Sequence, residues 1–261
     1  MARLFGTDGV RGLANDELTC DLAFKLGQAA VAFQGGTILI GKDTRKSGDM
    51  LEASVAAGVM SMGGTALLAG VIPTPAIALL VRELSCDGGV MISASHNPPE
   101  YNGIKLFDGK GFKLPDAVED EIEAFVTAGG ARADQLPAGD AVGVAIPVSE
   151  AVEMYVAHAV KTVTDQGIDL SGMKVALDVG HGASCVSSAE ALRRLGAEVS
   201  VINEDYDGTD INVGCGSTHL EPLRAFVAEV GADVGIAHDG DADRVMLVDA
   251  AGNEIDGDVV E

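Results

Sequence analysis

The chain has 261 residues, 47% of them hydrophobic and 22% charged, so it is long enough for one large domain or two modest ones with their own cores. Its 40 acidic residues against 17 basic ones leave a formal net charge of −23, which argues against nucleic acid or an anionic membrane as a partner, because both would be repelled. No apolar run could span a bilayer, no signal-peptide hydrophobic region follows the N-terminus, and the four cysteines form no C-x-x-C pair, which together predict a cytoplasmic protein with reduced thiols.

The first predicted elements are a glycine-rich turn and a strand–helix–strand unit. In the turn, residues 5–12, Arg11 could bind a phosphate bidentately, although an ordinary surface turn has the same pattern. Strands at 37–40 and 65–68 flank a helix with apolar residues at helical spacing, namely Leu51, Val55, Val59 and Met62. The polar loop 41–46 is compatible both with cations placed near a phosphate and with a cap on that helix.

An apolar strand at 90–92 runs directly into Ser-Ala-Ser-His-Asn, and two prolines then prevent a helix. Ser95 and His96 are therefore expected on a loop at the end of a core strand, where α/β sheets bind ligands. Neighbouring side chains on such a loop point apart, so a protease-type Ser–His pair is not indicated. A phosphoryl-carrying serine fits better, with Lys105 available beyond an expected turn at 102–103.

A connector or hairpin is predicted over residues 127–144, which are rich in Gly and Ala and have no sustained period. Ser149 is a candidate N-cap for the helix that follows. The apolar face of that helix consists of Val152, Tyr155, Val156, Ala159, Val160 and Val163. The domain boundary is placed near residue 148.

A second unit of the same plan follows, with strands at 174–179 and 198–202. The helix between them contains Ala189, Leu192 and Leu195. A Gly-x-Gly turn at 180–182 suggests a dinucleotide site, but Cys185 stands where that fingerprint needs Gly or Ala. With a weaker third repeat from 231–237, the pattern predicts an α/β fold of two successive βαβ-based domains, with mainly parallel mixed sheets flanked by helices.

Three alternating aspartates follow the third apolar segment and precede a strand at 245–248: Asp239, Asp241 and Asp243. Side chains at i, i+2 and i+4 of an extended or looped backbone project to one side, so these carboxylates would repel unless a cation lay among them. Hard oxygen ligands favour Mg²⁺, Ca²⁺ or Mn²⁺. An EF-hand is excluded because its sixth and twelfth positions are Arg244 and Ala250. A solvated acidic turn is the alternative.

Three segments together resemble the α-D-phosphohexomutases: the serine segment 93–98, the acidic segment 239–244 and the glycine-rich segment 5–12. The last of these and residues 212–219 are similar to the bacterial phosphoglucosamine mutase branch. The resemblance implies domain I over residues 1–148, with the phosphoserine loop, and domain II over 149–261, with the metal-binding loop. It also implies that the chain stops where a third domain begins, and that this truncated form is inactive alone.

The resemblance implies roles for eight side chains. Ser95 would carry the phosphoryl group, and His96 and Lys105 would assist proton transfer and charge neutralisation. Arg11 and Arg244, with Lys105, would bind phosphate, and both arginines would stabilise the transferring phosphoryl. One Mg²⁺ per chain would be held by Ser95 and by the three aspartates, Asp239, Asp241 and Asp243.

The implied reaction interconverts glucosamine 6-phosphate and glucosamine 1-phosphate through a bisphosphate intermediate, with glucosamine or glucose 1,6-bisphosphate as activator. A phosphosugar is the expected partner, and a homodimer is a possible assembly. One alternative is a phosphomannomutase or phosphoglucomutase of the same superfamily. The other is a non-catalytic nucleotide- or metal-binding module, based on the Gly-x-Gly turn and the acidic segment.

Overall fold

The structure is a computed structural model that describes residues 4–6, 8–255 and 257, and it contains two sheets flanked by helices. Thr7 of the glycine-rich turn and the end of the predicted second domain lie outside the described residues. The first sheet has the strand order β1-β5-β4-β2-β3-β6. Its strands are β1 (Val10–Leu13), β2 (Thr37–Lys42), β3 (Thr65–Val71), β4 (Gly88–Ile92), β5 (Tyr101–Asp108) and β6 (Val144–Pro147).

Both faces of the first sheet are covered, because side chains alternate along the central strand. On β2, Ile38 and Ile40 pack with one set of helices, whereas Leu39 packs on the opposite face. The helices are α1 (Cys20–Gln34), α2 (Gly48–Ser61) and α4 (Asp116–Thr127) on the first face, and α3 (Thr74–Glu83) on the second. Strands β4, β2, β3 and β6 run parallel, so their carboxyl ends meet at one edge of the sheet.

The second sheet has the order β11-β10-β9-β7-β8, with a parallel core and an antiparallel hairpin at one side. Its strands are β7 (Lys174–Asp178), β8 (Glu198–Ile202), β9 (Val234–His238), β10 (Val245–Asp249) and β11 (Glu254–Ile255), and the helices of this part are α5 (Ala151–Thr164), α6 (Ser188–Arg194) and α7 (Glu221–Val230). Ala176 on β7 packs toward α7, and its neighbour Leu177 packs on the opposite face with the core residue Ala189 of α6. The predicted α/β class with two βαβ-based units is confirmed. The first sheet with helices α1–α4 is called the first unit, and the second sheet with α5–α7 is called the second unit.

One local prediction in the first unit is wrong. Asn102 and Gly103 form no turn, because both lie in β5, which pairs antiparallel with β1 and β4. Gly103 is needed there since a Cβ would lie 2.4 Å from the carbonyl oxygen of Ser93. Of the two alternatives predicted for the segment 127–144, the structure has the connector and not the hairpin: the chain passes through two short 3-10 turns and enters β6, which extends the first sheet beside β3.

Ser149 is not the N-cap of α5. That helix begins at Ala151 after Glu150, and the Ser149 hydroxyl donates to the Glu150 carboxylate (2.7 Å) instead of accepting from the backbone. The first turn of α5 packs against the core of the first sheet through Ala151, while Glu153 pairs with Arg194 of α6. This helix therefore contacts both units, and the boundary near residue 148 stays a prediction.

Among the described residues no helix combines the length and apolar character that crossing a membrane requires. All four cysteines are free thiols.

Candidate active site

The serine loop, residues 93–100, leaves the carboxyl end of β4 and is held by its own polar side chains. The Ser93 hydroxyl donates to Asp43 (2.6 Å) and accepts from the backbone N–H of Ser95 (2.8 Å). Ser95 has a φ of 54°, in the left-handed region that costs free energy for a residue with a Cβ. The loop thus keeps Ser95 in a strained conformation. Such strain indicates that the position of the Ser95 hydroxyl is functionally important.

The acidic loop, residues 239–244, joins β9 to β10 and gathers the three predicted aspartates. One oxygen from each of Asp239, Asp241 and Asp243 lies within 4.8 Å of the others. Asp239 and Asp241 are fully buried, whereas Asp243 is exposed. The turn passes through Ala242 at a φ of 54°. The three carboxylates thus lie together, as the alternating spacing predicts, on a turn rather than on an extended strand.

The serine loop and the acidic loop meet although they are far apart in sequence. The Ser95 hydroxyl donates to the Asp239 carboxylate at 2.6 Å. Ser95 has no exposed surface in this arrangement, so a substrate can reach its oxygen only after neighbouring groups move. The two loops come from the carboxyl ends of β4 and β9, the strand ends where α/β sheets bind ligands.

Lys105 supplies the cation closest to the carboxylates. It lies on β5 opposite Met91 of β4, and its ammonium is 2.7 Å from Asp241 and 3.5 Å from Asp243. Arg11 lies on β1 opposite Gly103, with its guanidinium paired to Asp8 at 3.1 Å. The antiparallel strands β1 and β5 therefore bring two predicted basic residues to one side of the site.

His96 lies on the solvent side of Ser95, with its Nδ1 3.5 Å from the Ser95 hydroxyl. Arg244 donates to that same Nδ1 at 3.1 Å, which assigns the ring nitrogen as an acceptor. Burial and the nearby charges of Arg244 and Arg11 lower the pKa of His96. The imidazole is consequently neutral at pH 7, and as a neutral ring it can accept a proton.

The buried carboxylates have opposite pKa shifts. Burial and the charge of Asp241 raise the pKa of Asp239 to about 7. Burial opposes the ionisation of Asp241, but the charge and hydrogen bond of Lys105, together with the Thr74 hydroxyl (2.7 Å), lower its pKa. Burial likewise acts to lower the pKa of Lys105, and Asp241 outweighs it and raises that pKa.

The donor set fits a hard divalent cation. All of the available ligand atoms are oxygens, and Asp241 Oδ1 is buried without a hydrogen-bond partner among the described residues. A buried carboxylate oxygen with no partner is costly, and a bound cation would satisfy it. The raised pKa of Asp239 reports the same uncompensated negative charge. The structure therefore contains a group that could bind a metal.

Four residues of the site were not found by sequence reasoning. Asp43 and Arg45 are buried beneath the serine loop, Thr74 at the start of α3 holds Asp241, and Asn212 donates to the serine loop from the second unit. The sequence of the loop 41–46 is equally compatible with capping of the following helix and with phosphate binding. Its position after β2, at the strand edge that also carries Ser95, was the available signal.

The Gly-x-Gly turn at 180–182 packs against the acidic loop. A Cβ on Gly182 would lie 2.6 Å from the carbonyl oxygen of Gly240, and the Ala183 N–H donates to that same oxygen at 2.8 Å. The close approach of these two loops explains why residue 182 is a glycine. No dinucleotide pyrophosphate is needed to account for it.

Comparison with known proteins identifies the family of this chain. Residues 2–133 match the family described as phosphoglucomutase/phosphomannomutase, alpha/beta/alpha domain I, and residues 153–252 match domain II of the same family. The chain belongs to the phosphoglucomutase/phosphomannomutase family. This membership confirms the predicted resemblance.

Named relatives within the family are similar over the full length of this chain. A phosphoglucosamine mutase from Clostridium novyi (strain NT) is 53% identical over 265 residues, covering 100% of this chain and 58% of that protein. A phosphoglucosamine mutase from Ruminiclostridium cellulolyticum is 53% identical over 266 residues, with the same coverage of 100% and 58%. The chain thus spans somewhat over half the length of these relatives.

A solved structure shares the fold. A phosphoglucomutase/phosphomannomutase family protein from Burkholderia thailandensis superposes with a TM-score of 0.79 at 24% identity, covering 97% of this chain and 56% of that one.

Proposed function

We propose that this chain carries the phosphoserine and metal-binding parts of a phosphoglucosamine mutase, which interconverts glucosamine 6-phosphate and glucosamine 1-phosphate. The observation that supports it most is the contact between the Ser95 hydroxyl and the Asp239 carboxylate, 2.6 Å apart and 144 residues apart in sequence. Two curated phosphoglucosamine mutases at 53% identity support the choice of substrate.

The proposed chemistry is carried by residues around this contact. Ser95 accepts a phosphoryl group from a hexose bisphosphate, which forms the Ser95 Oγ–P bond and breaks one sugar O–P bond. Transfer in the other direction returns that group to the sugar hydroxyl. Neutral His96 can take the Ser95 proton and pass it to the sugar oxygen whose bond to phosphorus breaks, and Lys105, Arg11 and Arg244 stabilise the negative charge on the phosphoryl oxygens.

The cofactor we propose is one Mg²⁺, held by the three acidic-loop carboxylates with an oxygen carried by Ser95. When bound, it would neutralise charge on the phosphoryl group. Glucosamine or glucose 1,6-bisphosphate would act as activator, because it restores the phosphate on Ser95. A phosphosugar partner, a homodimer and a cytoplasmic location belong to the same proposal, and the net charge of −23 makes the local cations necessary for an anionic substrate.

Phosphorylation of Ser95 is the direct test. The chain is incubated with glucose 1,6-bisphosphate and Mg²⁺, and its intact mass is measured over time. We expect the gain of one phosphoryl group, none in Ser95→Ala, and an unchanged gain in Ser54→Ala on the remote helix α2. Phosphate on any residue other than Ser95, or an equal gain in Ser95→Ala, would contradict the proposal.

The sugar specificity needs a longer protein. A chimera that joins residues 1–261 to the remaining sequence of the Clostridium novyi relative is assayed with glucosamine 6-phosphate and with mannose 6-phosphate. Faster turnover of the glucosamine substrate is expected. Preference for mannose 6-phosphate would favour the phosphomannomutase alternative.

A further inference from the structure

The backbone of the serine loop is held by a buried guanidinium from the first unit. Arg45, 2% exposed, donates to the carbonyl oxygens of Ser95 (2.9 Å) and Asn97 (2.8 Å), and also to those of Pro98 and Tyr101. Its charge is balanced by Asp43, at 3.0 Å, and neither side chain has exposed surface. All of these acceptors are main-chain or carboxylate oxygens, so this guanidinium is fully used in fixing the loop.

A residue of the second unit also binds two of these carbonyl oxygens, those of Ser95 and Asn97. Asn212, 7% exposed, donates from its side-chain nitrogen to the carbonyl oxygens of Ser95 (2.9 Å) and Asn97 (3.2 Å). Each carbonyl oxygen has two lone pairs and can accept from Arg45 and Asn212 together. The backbone of Asn212 is itself tied to its own unit, since its N–H donates to Gly180 (3.0 Å).

Asn212 also lies against the acidic loop. A Cβ built on Gly240 would be 2.9 Å from the Asn212 side-chain nitrogen and 2.7 Å from the Ser95 carbonyl oxygen. The amide of Asn212 is thus packed between the serine loop and the acidic loop. It lies where it can set how Ser95 is placed relative to Asp239.

We propose that Asn212 is a positioning residue which, with Arg45, holds the serine loop in register with the acidic loop across the two sheets. The consequence for phosphoryl transfer rests on the proposed function. Asn212 acts through the placement of Ser95. Its side-chain nitrogen donates its two N–H groups to main-chain carbonyl oxygens and not to reacting atoms. Ser95 has a strained φ, so without these hydrogen bonds the serine loop would relax to a commoner conformation.

Two substitutions of Asn212 test the inference. Asn212 has a φ of 62°, so Asn212→Asp and Asn212→Gly both keep a residue that tolerates this conformation while removing the amide donor. Asn15→Asp is the matched control, because it makes the same chemical change at a φ of 63° on an exposed turn. Since the two variants differ in charge, an effect common to both belongs to the lost donor, and if one fails to fold the other decides.

Hydrogen exchange of the serine loop is the readout that does not depend on activity. We expect exchange in residues 93–100 to be faster by on the order of tenfold in both variants, as for a lost pair of buried hydrogen bonds, with no change in β2 or in Asn15→Asp. Phosphorylation of Ser95 at saturating glucose 1,6-bisphosphate should slow by about tenfold, while the half-saturating concentration changes by less than about twofold.

The outcomes separate the two proposals. If the unmodified chain takes up no phosphoryl group but both variants loosen the serine loop, the positioning role stands and the proposed function fails. Wild-type exchange of the serine loop in both folded variants overturns the positioning role, whatever the phosphorylation result.

Discussion

Gly240 lies where the acidic loop crosses the serine loop, and the contact depends on its lack of a side chain. A Cβ there would be 2.7 Å from both Ile211 Cδ1 and the Ser95 carbonyl oxygen. The carbonyl belongs to a loop already bound by Arg45 and Asn212, so it cannot yield easily. The contact between the two loops therefore requires a glycine at position 240.

Gly240→Ala should therefore separate the two loops. We expect a loss of about 1–3 kcal/mol in the free energy of unfolding, as for an overpacked core, together with weaker Mg²⁺ binding. Gly36→Ala is the control, since nothing lies within 4 Å of its Cβ, and it should stay within about 0.5 kcal/mol of the parent. Denaturant unfolding and calorimetric titration measure both effects; equal stability of the two variants would argue against the crowding.

Asp239 predicts a pH dependence of metal binding. Its pKa is about 7 in the folded chain and ordinarily 3.8, so without metal the stability from this group is present at low pH and lost as the pH rises toward and through 7. Mg²⁺ needs the ionised form, so its affinity should rise about tenfold per pH unit below 7 and then level off.

Calorimetric titrations of Mg²⁺ between pH 5.5 and 8.5, a range of about three units around that pKa, measure this dependence. In Asp239→Asn the affinity should be weaker and its pH profile flatter. An affinity of the parent chain that is independent of pH below 7 would show that Asp239 is ionised throughout or is not a ligand.

Strand β5 is the element that completes the site, because it inserts antiparallel between β1 and β4. Its register places Lys105 beside the acidic loop, with the ammonium 2.7 Å from the buried Asp241. The strand thus delivers a cation from the first sheet to carboxylates of the second. Removing that cation leaves a buried charge without compensation.

Lys105→Met should cost about 3–5 kcal/mol of stability in metal-free buffer. Lys25→Met removes a lysine whose partner Asp21 is largely exposed, and should cost about 1 kcal/mol or less. Mg²⁺ should stabilise Lys105→Met more than the parent chain, because it would take over the charge compensation. Urea unfolding with and without Mg²⁺ measures all three; a similar loss in the two lysine variants would mean that Lys105 compensates no buried charge.

At the scale of the whole molecule, the net charge of −23 repels itself in the folded state. Raising the KCl concentration from about 0.01 to 0.15 M should therefore raise the melting temperature, because the added ions screen that repulsion. At matched ionic strength, Mg²⁺ should raise it further in the parent chain but little in Asp241→Asn. A melting temperature that falls with KCl would indicate that favourable surface ion pairs outweigh the repulsion.

Because periodicity and polar loops after core strands are local properties, sequence patterns predicted the α/β class, both βαβ units and the serine and acidic loops as candidate parts of the site, but not Asp43, Arg45, Thr74 or Asn212. They misassigned Asn102 and Gly103 to a turn, since the dipeptide is typical of turns and the carbonyl that requires the glycine belongs to Ser93, in the serine loop that follows β4. Ser149 failed as a cap for a similar reason: capping depends on where the helix begins, which packing of Ala151 decides.

The residue types and their order in the chain determined which groups are available: Ser95 on its loop, three alternating aspartates and a few basic residues. Only the tertiary structure decided that Ser95 meets Asp239, that Lys105 faces Asp241, and that Asn212 reaches across to the serine loop. The physical reason is that these contacts join strand ends and loops from two sheets. Their geometry depends on strand register and backbone approach between segments more than 100 residues apart in sequence, which no local pattern encodes.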